Sequence, residues 1–244
     1  MIRGLFSSVS GMLSMLKAQE VITNNIANVS TVGFKRDVPL YRSFSNILQR
    51  ELQGRESQSE VEGTFIDFTQ GKIISTGRVL DLAIKGKGFF VLLTPQGIAY
   101  TRAGSFSLDN KGRIITPEGY YLLGSRGPVT FPSLNFSRLE INREGEVIVD
   151  GRFVDKIRVE VFQNPALLYK QGNNLFKPLT GLSSERGEGE YSIGQGYLEL
   201  SNVDIIEDMV NLIANLRLYE AAQRAVRLQA VSYTHLTLPT ICSV

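Results

Sequence analysis

Two apolar stripes at helical spacing, one near each end of the chain, set the first limit on how it can fold. Leu5, Val9, Met12 and Leu16 follow one another at four, three and four residues, with Ile2 one step earlier. Ile205, Met209, Leu212, Leu216, Tyr219, Val226 and Ala230 repeat the pattern, broken only by Gln223 and widened by Ile206 and Ile213. This spacing keeps one side of an α-helix apolar and matches the seam of a coiled coil. Beyond Lys17 the first stripe shifts to Ile22, Ile26 and Val29. Gly33 is a natural terminator, so the first helix is expected to end within a few residues of Val32. For the second, Ser201 or Asn202 is the expected cap. Asp204, Glu207 and Asp208 sit where the helix dipole favours anions, and Arg217, Arg224 and Arg227 fall in later turns.

Between the stripes the texture changes to short alternating runs cut by glycine. Leu80, Leu82 and Ile84 alternate as a half-buried strand, and "GFFVLL" (88–93) reads as a more fully buried one. "TPQG" (94–97) and "LDNKG" (108–112) carry hairpin-turn chemistry. Further strands fit residues 113–116, 139–141, 146–149 and 156–162, and turn signals every 8 to 12 residues suggest a sandwich or partial barrel. The fold class is therefore α+β: terminal helices pairing as a coiled-coil-like stalk around a central all-β domain. Its expected divisions are helix 1–36, extended connector 37–75, β-rich domain 76–200 and helix 201–231. Residues 232–244 form a separate tail.

Composition removes several functions. Lys and Arg total 26 against 24 Asp and Glu, without long runs of one sign, so no footprint for nucleic acid or an anionic membrane stands out. No stretch approaches the roughly 20 apolar residues of a membrane span. The opening "MIRGLFSSVSGMLSML" has Arg3 before an apolar stretch, as a signal peptide would, but four serines interrupt it and no small-x-small cleavage site follows. It reads as a retained amphipathic helix. His235 is the sole histidine and Cys242 the sole cysteine, too few for a zinc site or for Ser-His or Cys-His catalysis. Glu144 with Glu146, and Glu185, Glu188 and Glu190, lie in glycine-rich turns where solvated charge is the ordinary case. "GKGFFV" from Gly86 has Val91 at the third glycine of a dinucleotide fingerprint and no helix after it, so strand-entry turns explain its glycines. No cofactor or metal is expected.

The two stripes need partners. Burying the C-terminal seam would yield on the order of 10 to 15 kcal/mol, most of which an isolated helix in water forgoes. A pair of terminal helices whose combined stripe exceeds what one partner covers is built to bundle with copies or relatives, with ends expected to order on assembly. The run "NNIANVSTVGFKR" (24–36) adds Asn24, Asn25 and Asn28, amides able to donate and accept at once and so suited to a neighbour's backbone at a subunit junction.

From Met1 to about Val231 the chain resembles the bacterial flagellar basal-body rod proteins, the axial family that includes the hook protein. "ANVSTVGFKR" from Ala27 is similar to that family's N-terminal signature. "TGRVLDLAIKGKGFFVL" from Thr76 and "YTRAGSFSLDNKGRI" from Tyr100 resemble its central motifs, and "QGYLELSNVDIIEDMVNLIANLRLYEAAQRA" from Gln195 its C-terminal one. The resemblance implies terminal helices forming an inner tube with the β domain outward. It also implies a structural role in carrying torque from motor to hook, self-association, and partnership with other rod and hook-family proteins. Export by the flagellar type III apparatus without signal cleavage, and a basal-body position spanning the periplasm, follow too. The short middle and "GPVTFP" from Gly127 lean towards a proximal rather than a distal rod protein. The implied assembly residues are Leu5, Val9, Met12, Leu16, Asn24, Asn25, Asn28, Gly33, Phe34, Ile205, Met209, Leu212, Leu216 and Tyr219.

Two departures stand out. Ala222 occupies a position where the family usually has asparagine, and "SYTHLTLPTICSV" from Ser232 breaks the helical periodicity, reading as foreign sequence whose His and Cys carry no functional weight. The competing readings are a soluble β-rich carbohydrate- or peptide-binding module with dimerising helices, and a hydrolase using two carboxylates.

Overall fold

The computed structural model of the chain describes residues 2–40, 64–132, 137–179, 185–186 and 191–236. Two long helices, α1 (Ile2–Ala27) and α2 (Ile205–Leu236), bracket a β-rich middle. The chain divides into two compact units. A helical unit takes Met1–Ala27, Asp37–Phe65 and Asp204–Val244; a β unit takes Asn28–Arg36 and Ile66–Val203. Residues 28–36, read from the sequence with the first helix, thus belong to the β unit.

The largest sheet runs in the order 168–172, 175–178, 97–101, 89–94, 121–122, 114–115, 107–108, with strand 159–161 also joined to 89–94. A three-stranded sheet holds 139–141, 146–149 and 152–156. The pairs 82–86 with 191–195 and 73–75 with 197–199 complete the β unit as described. The sheets remain separate and close no barrel. The "TPQG" turn joins two antiparallel strands with Thr94 opposite Gly97, and Ser107–Leu108 pairs with Ile114–Ile115 around the "DNKG" turn.

"GFFVLL" is central because both of its faces are covered. Phe90 and Leu92 point into a core with Leu82, Ile84, Phe106, Ile114, Leu122, Val147, Ile157 and Ile193. Phe89 and Val91 point the other way, onto Tyr100, Phe162, Leu168 and Phe176. Successive strand residues face opposite sides, so a strand with cores on both reads as an unbroken apolar run. Edge-to-face rings knit the second core: Phe68 lies 5.4 Å from Phe89 and 5.2 Å from Phe176, and Tyr100 lies 4.9 Å from Phe162. In "GPVTFP", Val129 and Phe131 are interior residues of the first core.

Several boundaries differ from those expected. The stretch 156–162 is not one strand: pairing to 146–149 ends at Lys156, and a second strand starts at Val159 beside Phe90. α1 stops at Ala27, because Asn28 closes a turn by accepting from the amide of Thr31 at 3.1 Å and from its hydroxyl at 3.2 Å. The cap of α2 is Asp204, whose carboxylate accepts from the amides of Ile206 at 2.9 Å and Glu207 at 3.2 Å. Asn202 is engaged elsewhere. α2 also continues past Val231 to Leu236, into the stretch from Ser232 read as breaking the helical periodicity.

Candidate assembly interface

The two helices are formed and paired within one chain, where the sequence led us to expect ends that order only on assembly. The faces they turn to each other match the apolar stripes only in part. On α2 the buried or half-buried positions are Asp208, Leu212, Asn215, Tyr219, Ala222, Gln223 and Val226. They keep Leu212, Tyr219 and Val226 of the stripe but take Asp208 in place of Met209 and Asn215 in place of Leu216. On α1 the buried positions are Ala18, Val21, Ile22 and Asn25, with Gly11, Met12 and Met15 among the half-buried ones and Val9 and Leu16 exposed. Part of each seam is thus shifted by about one residue from the one read in the sequence.

The reason is visible at Asn215, whose side-chain amide donates to the main-chain carbonyl of Met15 at 2.7 Å. A helix carbonyl keeps a second lone pair after its own ladder bond, so Met15 can accept from a facing helix. A buried amide in a helix seam fixes register at the expense of apolar contact.

The displaced apolar side chains remain in solvent. Ile206 is 73 % exposed, Val210 60 %, Leu13 57 % and Ile213 53 %. Met209, Val9, Leu16, Ile205 and Leu216 are exposed as well. Met12, Leu212 and Tyr219 are half-buried, and Leu5 lies outside the residues whose side chains are described. At 100° per residue, Ile205, Ile206, Met209, Val210, Ile213 and Leu216 share one arc of α2 facing away from α1. From Arg217 onward the same arc carries Arg217, Glu220, Arg224 and Arg227. Large apolar side chains therefore dominate the arc over the first three turns, with Leu228 alone among the described side chains beyond them. In a single chain the seam thus mixes apolar residues such as Ala18, Val21 and Ile22 with the buried polar Asn25, Asp208 and Asn215, while large apolar side chains of both helices stand in solvent.

The asparagine-rich run has a different role from the one read in the sequence. Asn25 is 3 % exposed, and its amide is engaged within the chain. Its Nδ2 donates to the carbonyl of Asp37 at 2.8 Å, and its Oδ1 accepts from the Asp37 amide at 2.9 Å. That two-point bond mimics a strand ladder and fastens Asp37–Pro39 to α1. Asn28 serves the turn described above, and Asn24 is exposed.

Gly33 and Phe34, expected at the assembly surface, are interior residues of the β unit. Gly33 has φ +69° and a Cβ there would stand 2.3 Å from the backbone nitrogen of Ala103, so only glycine fits. Phe34 is buried, and the Lys170 ammonium stands 4.1 Å from its ring centre. Both belong to a strap, residues 32–36, tied on mainly by side chains and single backbone bonds. Asn174 donates to the Val32 carbonyl, Gly33 to the Glu199 carbonyl, and Lys170 to the Lys35 carbonyl at 2.6 Å. Asn202 accepts from the Arg36 amide at 2.8 Å while its Nδ2 donates to the Asp67 carbonyl.

Beneath the strap lies a charge cluster that no local pattern signals. The Lys35 ammonium meets the Glu199 carboxylate at 2.6 Å, both fully buried, and donates to the Thr69 carbonyl at 2.6 Å. Arg102 meets the other carboxylate oxygen at 3.3 Å and donates to the carbonyls of Ile84 and Gly86. Burial holds Lys35 below the usual lysine range despite the attraction of Glu199, and burial lowers Arg102 too. The three residues come from three separated motifs, "GFKR", "YTRAGSF" and "QGYLELSN". The signal available beforehand was charge inside otherwise apolar or glycine-rich motifs, Lys35 and Arg36 in the first and a single charge in each of the other two.

Among the described residues, no group of three or more His, Cys, Asp or Glu is placed to hold a metal, and no helix is long and apolar enough to cross a membrane. Glu146 is bonded to Asn142 in its own turn.

Three family models match the chain. They are the flagella basal body rod protein over residues 5–35, the flagellar hook protein FlgE/F/G D1 domain over 83–149, and the flagellar basal body rod FlgEFG protein C-terminal region over 195–229. Lys35, Arg102 and Glu199 fall one in each. The chain is similar to the flagellar basal-body rod protein FlgG of Bacillus subtilis, 34% identical over 251 aligned residues covering 93% of this chain and 94% of the relative. It is 33% identical to FlgG of Borreliella burgdorferi, over 93% and 94% of the two chains. It is 29% identical to the flagellar hook-basal body complex protein FlhO of Bacillus subtilis, over the same shares.

Proposed function

Since the chain belongs to the flagellar basal-body rod protein family, matching a member at 34% identity over 93% of its length, we propose that it is a structural subunit of the rod and assembles through the outward faces of α1 and α2. The carrying observation is the exposed apolar face of the helix pair. Nine large apolar side chains, from Val9 to Leu216, stand in solvent, an arrangement that is unfavourable alone and favourable once neighbouring subunits cover it. Copies of this chain and other rod and hook-family proteins are the partners that supply such cover. The charged half of the α2 arc, from Arg217, then limits how far a neighbour's apolar contact extends.

In this reading the subunit resides in the basal body and spans the periplasmic stretch of the rod. It leaves the cytosol through the flagellar export apparatus with its N-terminal helix retained, and it passes torque from motor to hook as one member of a stiff stack. The family is structural and not enzymatic. The test is neighbour-specific cross-linking in a strain that depends on this chain for motility. With Cys242 replaced by serine and cysteines placed at Leu13 and Ile213, oxidation of isolated basal bodies should give a ladder of multimers. Dimers alone would favour the binding-module reading, and absence of the chain from basal bodies would refute the rod assignment.

A further inference from the structure

The Lys35–Glu199–Arg102 cluster is poorly designed as a stabiliser. Two buried cations share one carboxylate, and the Arg102 Nε, itself buried, has no acceptor among the described residues. Buried ion pairs seldom repay the loss of hydration, and an apolar replacement of similar shape is often neutral or better. What such groups do well is to select one arrangement over its alternatives. Here the arrangement is the seat of the strap.

The strap forms no β-ladder of its own. Residues 32–36 are held by a set of point contacts converging on residues 199–202, the segment just before the cap of α2. Gly33 donates to the carbonyl of Glu199 at 2.8 Å, and the Glu199 side chain takes Lys35 on one oxygen while also accepting from the Gly71 amide at 3.0 Å. Asn202 spans the Phe34 carbonyl, the Arg36 amide and the Asp67 carbonyl. The stretch that continues from α1 and the stretch that continues into α2 are thus locked to one another inside the β unit, across 164 residues of sequence. Sliding the strap by one residue would leave the Lys35 charge buried without its partner.

We propose that Lys35, Arg102 and Glu199 are positioning residues for assembly: the cluster fixes the register of the strap against residues 199–202, and so fixes the two points from which the chain enters its helices. This rests on the rod reading above. The cluster is buried inside the β unit, and it acts by keeping every copy of the chain in the same state before helices meet.

The informative variant is Lys35→Met, which keeps the aliphatic stem and leaves Arg102 and Glu199 as a one-to-one pair. Three quantities are measured on the full chain: the thermal midpoint, hydrogen exchange at the amides of Gly33, Arg36 and Asp67, and sedimentable polymer. Lys35→Met should leave the midpoint within a few degrees of wild type, speed exchange at those amides by at least about tenfold, and lower the polymer yield by a similar factor. Fast exchange with wild-type polymerisation overturns the proposal, as does slow exchange with normal register. A large fall in the midpoint overturns it too, since the cluster is then a general stabiliser. The double variant Ile206→Ser/Ile213→Ser serves as the separate control. It should lose polymer with strap exchange unchanged, and if it polymerises normally the rod interface fails while the strap result still stands.

Discussion

Replacing Ile206 and Ile213 together by serine tests the exposed apolar arc of α2 most directly. Ile206 is 73 % exposed and Ile213 53 % exposed in the single chain. Full burial of such a side chain is worth about 1.5–3 kcal/mol, so the fractions still in solvent leave about 2–4 kcal/mol available to a neighbour that covers both. At about 1.4 kcal/mol per factor of ten, the double variant should need about 30 to 500 times more protein to polymerise. The stability of the isolated chain should hardly change, because surface substitutions of this kind stay within about 0.5 kcal/mol apiece. The assay is the critical concentration from sedimentation, paired with the thermal midpoint at a concentration below it. A variant that polymerises like wild type would show that the outward arc meets nothing. A midpoint several degrees lower would show that these residues are already buried within one chain, and the exposed-arc description would fall with it.

Asn25→Ala should cost about 2 kcal/mol of stability, since it abandons both main-chain groups of Asp37 at once, whereas the exposed Asn24→Ala should cost little. Urea titration of the two variants, with exchange at the Asp37 amide, checks this. Acid should loosen the strap selectively. Burial alone would raise the Asp67 carboxyl, but hydrogen bonds from Thr69 and the Arg36 guanidinium outweigh it and hold the group below the usual carboxylate range. A carboxylate depressed on folding stabilises fully above its unfolded value of about 3.9 and loses that contribution as pH falls towards the folded value. The protection factors of the Arg36 and Asp67 amides, corrected for the intrinsic pH dependence of exchange, should therefore fall below about pH 4 in the wild type and be insensitive to that change in Asp67→Asn.

Much of the architecture could be read from composition and spacing. The 4-3 stripes required two long helices, and the covered run at Phe89–Leu92 required a strand with apolar neighbours on both sides. The hairpin at Thr94–Gly97 follows from local chemistry that acts within a few residues. The motifs at Ala27, Tyr100 and Gln195 pointed to the family before any coordinates. The helix ends were less legible, because Asn28 and Asp204 each had competitors of equal local merit: Val32 with Gly33 for the first, Ser201 and Asn202 for the second.

Sequence by itself determined that each terminal helix has an apolar side; only the tertiary structure decided which way that side faces. An apolar arc wider than 100° accommodates more than one heptad frame, and periodicity cannot choose between frames that differ by one residue. The choice falls to contacts with the partner helix, here the Asn215 amide on the Met15 carbonyl. Likewise, the sequence carries one lysine, one arginine and one glutamate in three distant motifs, and no rule of local spacing relates positions 35, 102 and 199. Their meeting is a property of the folded chain, because buried charge is tolerable only where its counter-charge already stands.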